Sequence, residues 1–171
     1  MSPYIQTYTG RIIDVFDPKE EDIDILDIAH GLAMKCRYNG HTSTFYSVAE
    51  HCVRMCLWNL PGNQSAKLLH DAAEAYLPDM PTPIKQRLNG FHEIETNLLN
   101  IIFKKFGLVV YNQEEVKIAD QIMLATEARD LMGNPQDWEL QQEPYHHHIE
   151  PWNWEMAEAS FLYYAKELKI V

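Results

Sequence analysis

Two imidazoles and two carboxylates occupy positions that a helical hydrophobic core would otherwise claim. His51 lies in SVAEHCVRM (residues 47–55), His70 and Asp71 lie in LLHDAAEAYLPD (68–79), and Asp120 lies in EEVKIADQIMLATEARD (114–130). Val48, Cys52 and Met55 form an apolar stripe at helical spacing, and His51 shares it. Ala66, Leu69, Ala73 and Leu77 form a second stripe beside His70, with Asp71 rotated by about 100°. Val116 and Met123 or Leu124 define a third, and Asp120 falls between them. A carboxylate among aliphatic residues is costly unless it is ionised against a cation or strongly hydrogen-bonded. The bland alternatives are a hydrogen-bonded core histidine at 51 and an arginine ion pair at Asp120. Taken together, two histidines and two aspartates from three helices make a mixed nitrogen and oxygen shell. That shell suits Mn²⁺, Fe²⁺, Co²⁺ or Zn²⁺ and leaves positions open for water and a phosphate oxygen. Closed structural zinc sites recruit cysteine, and no cysteine joins this set.

The elements that must carry these side chains are helices. Asp27 is placed to cap a helix over about 28–37, and residues 39–44 form a polar loop. Ser47 and Glu50 have the spacing of a capping box opening a helix over about 48–58. Pro61-Gly62 breaks it, and Asn63 or Ser65 starts a third helix that runs to about Pro78. PDMPTPIK (78–85) is a stiff loop in which Thr82-Pro83 opens a short helical turn. Longer helices span about 91–106, stopped by Gly107, and 114–131; a last one, capped by Asn153, spans about 154–168. Residues 1–22 are irregular or weakly extended, and 132–152 form a long surface loop. The pattern predicts an all-α fold in a single domain over 1–171, with the chemistry-bearing residues within 28–131.

Composition bounds the function. The net charge of −11 excludes a broad basic face for polymeric nucleic acid, but not a small phosphorylated ligand gathered by a metal and a few cations. Arg37, Lys67, Lys85 and Arg87 supply positive charge in the middle of the chain. No stretch reads as a signal peptide or membrane span, and three cysteines without zinc-ribbon spacing suit a reducing compartment. The expected location is cytoplasmic, that of a host cell if the chain is phage-encoded, without membrane association.

The spaced histidine, the His-Asp doublet and the distant aspartate resemble the signature of the HD-domain phosphohydrolases. RYNGHTSTFYSVAEH and HDAAEAYLPDMPTPIK are similar to the small bacterial YfbR-type 5'-nucleotidases. They are more similar still to the phage DatZ-type dNTP triphosphohydrolases. The likeness covers about residues 10–130; residues 132–171 carry no part of the motif. The resemblance implies an HD-domain helical bundle with one or two divalent metals on His51, His70, Asp71 and Asp120. It implies phosphate contacts from Arg37 and Lys85, catalytic roles for Glu74 and Asp79, and a homo-oligomer, dimer or hexamer. The implied substrate is a deoxynucleotide, dATP cleaved to triphosphate on the favoured reading and a dNMP on the other; the non-enzymatic alternative is a nucleotide-binding sensor or an α-helical interaction protein in which the metal is structural.

The residues themselves allow those roles. Glu74 lies one turn after His70 and can activate water or accept a histidine N–H. Asp79 can protonate a leaving oxygen or cap its loop. Arg37 can complement a helix dipole and Lys85 can be an ordinary solvated lysine, unless a metal-bound phosphate recruits both. Tyr38 can stack on a base, Gly40 leaves room beside it, and His41 lies between Arg37 and His51. The His146-His147-His148 triplet reads as surface loop, and Trp152 and Trp154 as anchors of the last helix or an oligomer contact.

Overall fold

The computed structural model describes residues 4–133 and 138–171. A short hairpin, β1 (Ile5–Gln6) and β2 (Ile12–Ile13), pairs Ile5 with Ile13. Among the described residues seven α-helices follow: α1 (Ile25–Ala33), α2 (Val48–Leu57), α3 (Gln64–Leu69), α4 (Thr82–Lys85), α5 (Phe91–Lys105), α6 (Gln113–Leu131) and α7 (Trp154–Glu167). The fold is therefore predominantly helical. Among the described residues no helix is long and apolar enough to cross a membrane.

Three differences from the sequence expectation bear on the site. Asp24, not Asp27, caps α1, accepting from Leu26 N at 2.9 Å. Asp27 is buried in the first turn because Thr9 satisfies it, through N at 2.7 Å and Oγ1 at 2.9 Å. The capping box of α2 is half-formed. Ser47 Oγ accepts from Glu50 N at 3.0 Å, while the Glu50 carboxylate turns inward to Arg54 Nε (2.8 Å) and Trp152 N (3.0 Å). An ion pair with a buried arginine outcompetes a return to the cap.

The third difference lies at the doublet. The helix expected to run to Pro78 stops at Leu69, Asp71 adopts φ −101° and ψ 13°, and a separate 3-10 turn spans Ala72–Ala75. In an unbroken helix neighbouring side chains diverge by about 100°. The break lets His70 and Asp71 bring ligand atoms to within 3.3 Å of each other.

Helices α1, α2 and α7 pack together, with α3 against α2 and the 3-10 turn against α1 and α5. Their core is built from Ile28, Leu32, Val53, Leu68, Leu69, Leu98 and Phe161, all fully buried. A smaller core of Tyr46, Met55, Val116 and Met123 seats α6 against α2. The segment after α6 is strapped across both helices. Arg129 donates to the carbonyls of Tyr145 and His147 (2.7 Å each), Ile149 N donates to Asp130 (2.8 Å), and Arg54 donates to Glu150 O (2.6 Å). Trp152 lies against the Arg54 guanidinium at 4.6 Å, and Trp154 meets His30 edge-on at 5.9 Å. His30 hydrogen-bonds Glu158 across to α7 at 3.0 Å.

Candidate metal centre and substrate cleft

Four side chains, from α2, the break that follows α3, and α6, converge at one point. His51 Nε2 stands 3.3 Å from His70 Nε2, 3.2 Å from Asp120 Oδ1 and 3.9 Å from Asp71 Oδ2. His70 Nε2 stands 3.3 Å from Asp71 Oδ2 and 3.9 Å from Asp120 Oδ1. Atoms bound about 2.0–2.2 Å from a single ion lie roughly 3–3.6 Å apart when adjacent and about 4.0–4.4 Å apart when opposite; three of these separations fall in the first range and the two of 3.9 Å lie between the ranges, so the cluster is compact enough to surround one cation.

The outer partners of the imidazoles point to the same conclusion. His70 Nδ1 lies 2.8 Å from the Lys67 carbonyl, which can only accept, so that nitrogen carries the proton. His51 Nδ1 lies 2.6 Å from Glu127 Oε1, a carboxylate. In the neutral tautomers both Nε2 lone pairs are then aimed at one another and at two carboxylates. That arrangement is stable only around positive charge. The electrostatics agree. Burial, and for His51 the nearby Arg37, disfavour charge on the rings, yet Glu127 and Asp120 raise the pKa of His51, and Asp71 and Cys52 raise that of His70 well above the ordinary value. Burial likewise opposes ionisation of the aspartates, but His70 holds Asp71 down and His51 holds Asp120 down.

A second group, Cys52 with His70 and Asp71, shares two members with this centre. Cys52 Sγ lies 3.8 Å from His70 Nδ1, the nitrogen already committed to Lys67, and burial pushes its thiol up so that it keeps its proton.

The centre opens into a cleft of about 590 Å³, within the size range of small-molecule sites. Its lining combines charged residues (Arg37, Asp71, Glu74, Asp79, Lys85 and Asp120) with largely apolar ones (Tyr38, Pro81, Leu124, Trp138 and Leu140). Glu74 Oε2 and Asp79 Oδ2 are buried without a hydrogen-bond partner among the described residues. Burial, then the charges of Asp71 and Asp79, push the Glu74 carboxyl up to about 9. The turn that carries Glu74 is held from behind by Lys35, whose Nζ donates to the Glu74 and Leu77 carbonyls.

The cations of the cleft are engaged. Arg37 donates to Asp71 Oδ2 at 3.1 Å and pairs with Glu127 Oε2 at 3.4 Å. Lys85 Nζ lies 2.6 Å from Glu95. Tyr38 and Asn39 have left-handed backbone (φ 55° and 52°), followed by Gly40 at φ 77°. This turn aims the Tyr38 ring into the cleft, 5.8 Å from Trp138, while Gly40 and His41 are exposed outside the lining. Gly40 therefore answers a backbone requirement, with no atom within 4 Å of where a Cβ would stand. Lys67, one of the four mid-chain cations, is fully buried on α3 and donates to the Leu60 carbonyl, so it is neither solvated nor open to phosphate. Arg87 is exposed and does not line the cleft. In the triplet, His148 Nδ1 lies 2.8 Å from Asp130, a partner that secures the loop.

Sequence reasoning missed three residues. Glu127 sits two turns after Asp120 on α6, a spacing that could have marked it. Trp138 belongs to a loop with no periodicity to read. Lys35 acts on backbone carbonyls, which leaves no trace in residue type.

The cluster and its cleft are consistent with a metal-dependent hydrolase. No family model matches the chain. It is 42% identical over 129 residues to the uncharacterised protein YfdR of Escherichia coli K12, covering 75% of this chain and 72% of that one. It is 37% identical over 139 residues to an uncharacterised Rhodobacter capsulatus protein, covering 73% and 71%.

Proposed function

The chain belongs to the family that includes YfdR of Escherichia coli, and we propose that it is a metal-dependent phosphohydrolase of deoxynucleotides, built on an HD-domain bundle. The convergence of His51, His70, Asp71 and Asp120 with both Nε2 atoms turned inward is the observation that carries this reading. A divalent Mn²⁺, Co²⁺, Fe²⁺ or Zn²⁺ held there supplies Lewis-acid polarisation of a phosphoryl oxygen and a more acidic bound water.

This chain's residues would do the rest. Glu74, buried and without a partner for Oε2, orients the attacking water and takes its proton. Its raised proton affinity makes it a stronger base than a solvated carboxylate, and cationic charge in the cleft brings it back toward neutrality. Asp79, four residues beyond Ala75 in the proline-rich loop, delivers a proton to the leaving oxygen. Arg37 and Lys85 clamp phosphate by exchanging their present carboxylate partners for phosphate oxygens. The apolar part of the lining, Tyr38, Trp138 and Leu124, receives the base by stacking.

The resemblance to DatZ-type enzymes supports a dNTP, dATP foremost, cleaved to nucleoside and triphosphate. One observation favours the second reading, 5'-dephosphorylation of a dNMP: Lys67 is buried and Arg87 lies off the cleft, which leaves Arg37 and Lys85 as its lining cations. Two cations match one phosphate better than three. A homo-oligomer, dimer or hexamer, belongs to the same proposal.

Chelator-stripped protein is reloaded with Mn²⁺ or Co²⁺ and incubated with all four dNTPs and all four dNMPs, and inorganic phosphate and triphosphate are both followed. Triphosphate from dATP supports the first reading, and phosphate from dNMPs supports the second. Turnover of neither, or equal metal content in wild type and Asp71→Ala, rules the proposal out.

A further inference from the structure

Glu127 is fully buried on α6, with each carboxylate oxygen serving a different part of the site. Oε1 accepts from His51 Nδ1 at 2.6 Å. Oε2 accepts from the Tyr38 hydroxyl at 2.5 Å and faces Arg37 Nε at 3.4 Å. His51 belongs to the ligand cluster, whereas Tyr38 and Arg37 line the cleft and come from the left-handed turn at 37–40. One side chain is thus bonded at once to a metal ligand and to the substrate wall. A simpler reading makes Glu127 the counter-charge of the buried Arg37. That need is already met in part by Asp71 at 3.1 Å, and it accounts for neither the bond to His51 nor the bond to Tyr38.

Resting on the metal-centre reading above, the geometry points to Glu127 as a positioning residue that couples the two halves of the site. It fixes the His51 tautomer and ring plane for the metal while holding the Tyr38 ring against the cleft. Neither function requires Glu127 to touch substrate. A glutamine at 127 cannot keep both bonds as they stand: with its one carbonyl accepting from His51, its amide can meet Tyr38 only by donating to the hydroxyl oxygen, which reverses that bond and removes the negative charge facing Arg37. The coupling has a second consequence. The Tyr38 hydroxyl bonds to Glu127 and not to a member of the ligand cluster, yet its loss frees Oε2, loosens Glu127, and so weakens metal binding at a distance. Ligand affinities linked through one carboxylate must respond to each other reciprocally.

The test measures Mn²⁺ and Co²⁺ binding calorimetrically to stripped wild type, Glu127→Gln, Tyr38→Phe and the double variant, with thermal melts beside them. Glu127→Gln is expected to weaken metal binding about 10- to 100-fold, the range seen when outer partners of ligating histidines are removed. Tyr38→Phe is expected to weaken it roughly threefold or more, the scale of one lost hydrogen bond. The double variant should bind no more weakly than Glu127→Gln alone, since both act through one carboxylate. Metal affinity unchanged in Glu127→Gln, even with a lowered melting temperature, leaves only the counter-charge role and overturns the inference. Unchanged affinity in Tyr38→Phe, or additive losses in the double variant, overturns the coupling. If Glu127→Gln fails to fold, Tyr38→Phe, which removes a single hydroxyl, decides alone. A wild-type protein that binds neither metal defeats the metal-centre reading itself, a result distinct from unchanged variants of a metal-binding wild type.

Discussion

Gly31→Ala tests whether the turn carrying Glu74 is as tightly seated as its packing implies. Gly31 lies in the last turn of α1, facing the 3-10 turn Ala72–Ala75. A Cβ there would stand 3.0 Å from the Ala75 carbonyl oxygen and 3.2 Å from both Ala75 Cα and Cβ. In an open helix the substitution would stabilise by about 1 kcal/mol through helix propensity. Against this stands overpacking, about 1–3 kcal/mol when neighbours cannot retreat. They cannot retreat freely here, because α5 packs against the turn and Lys35 Nζ fixes the Glu74 and Leu77 carbonyls. The expected net effect is a loss of about 1 kcal/mol, or roughly 2–4 °C in melting temperature for a chain of this size. Urea and thermal melts of the two proteins measure it. If Glu74 acts on the attacking water, a shift of a few tenths of an ångström also lowers kcat, by roughly threefold to tenfold. A variant more stable than wild type, with unchanged turnover, refutes the argument: the turn would then be free to move.

Asp130→Asn should loosen the strap after α6, since Asp130 Oδ2 accepts from Ile149 N and Oδ1 from His148 and Arg129. Despite burial, the Arg129, Ile149 and His148 hydrogen bonds hold this carboxyl down to about 2 from an ordinary 3.8. Its folded pKa is depressed, so the stability it contributes is complete above the ordinary value and lost as pH falls toward about 2. Urea melts should show a gap of about 1–2 kcal/mol between the two proteins at pH 6, closing below about pH 4; a gap independent of pH would refute the assignment. Asn63→Ala removes the cap that accepts from Ala66 N at 3.0 Å and should cost about 1 kcal/mol by the same measurement, whereas Asn63→Ser should recover most of it.

The helices were legible because their signals are local. Ser47, Asn63 and Asn153 each accept from the backbone N–H that cap chemistry requires, and the apolar stripes of α2, α3 and α6 are buried as their spacing implies. The convergence of His51, His70, Asp71 and Asp120 was legible for a related reason: inward-facing polar residues on separate helices have few ways to be satisfied. What escaped reading depends on tertiary partners. Asp27 looked like a cap until Thr9, distant in sequence, supplied its hydrogen bonds. Lys67 looked like a cation available to phosphate, but its head group ends inside the fold at a carbonyl. The stop in the helix at His70-Asp71 has no glycine or proline to announce it. The share of the cleft taken by Trp138 and Leu140 is set by where the strap after α6 is tied down, not by their immediate neighbours.

The left-handed turn at Tyr38-Asn39-Gly40 also bears on the order in which the protein assembles. Each non-glycine residue in that conformation costs about 1–2 kcal/mol, and two stand in succession. The compensating bond from the Tyr38 hydroxyl exists only once α6 has docked and brought Glu127 beneath it. The cleft wall is therefore among the last parts of the native structure to form. It is also among the first to open locally, with the helical core behind it intact. Amide exchange at Arg37 and His41, whose N–H groups bond to Tyr46 and Tyr38 carbonyls, should run well ahead of exchange within α2, so that entry to the cleft is timed by a turn of the wrong hand.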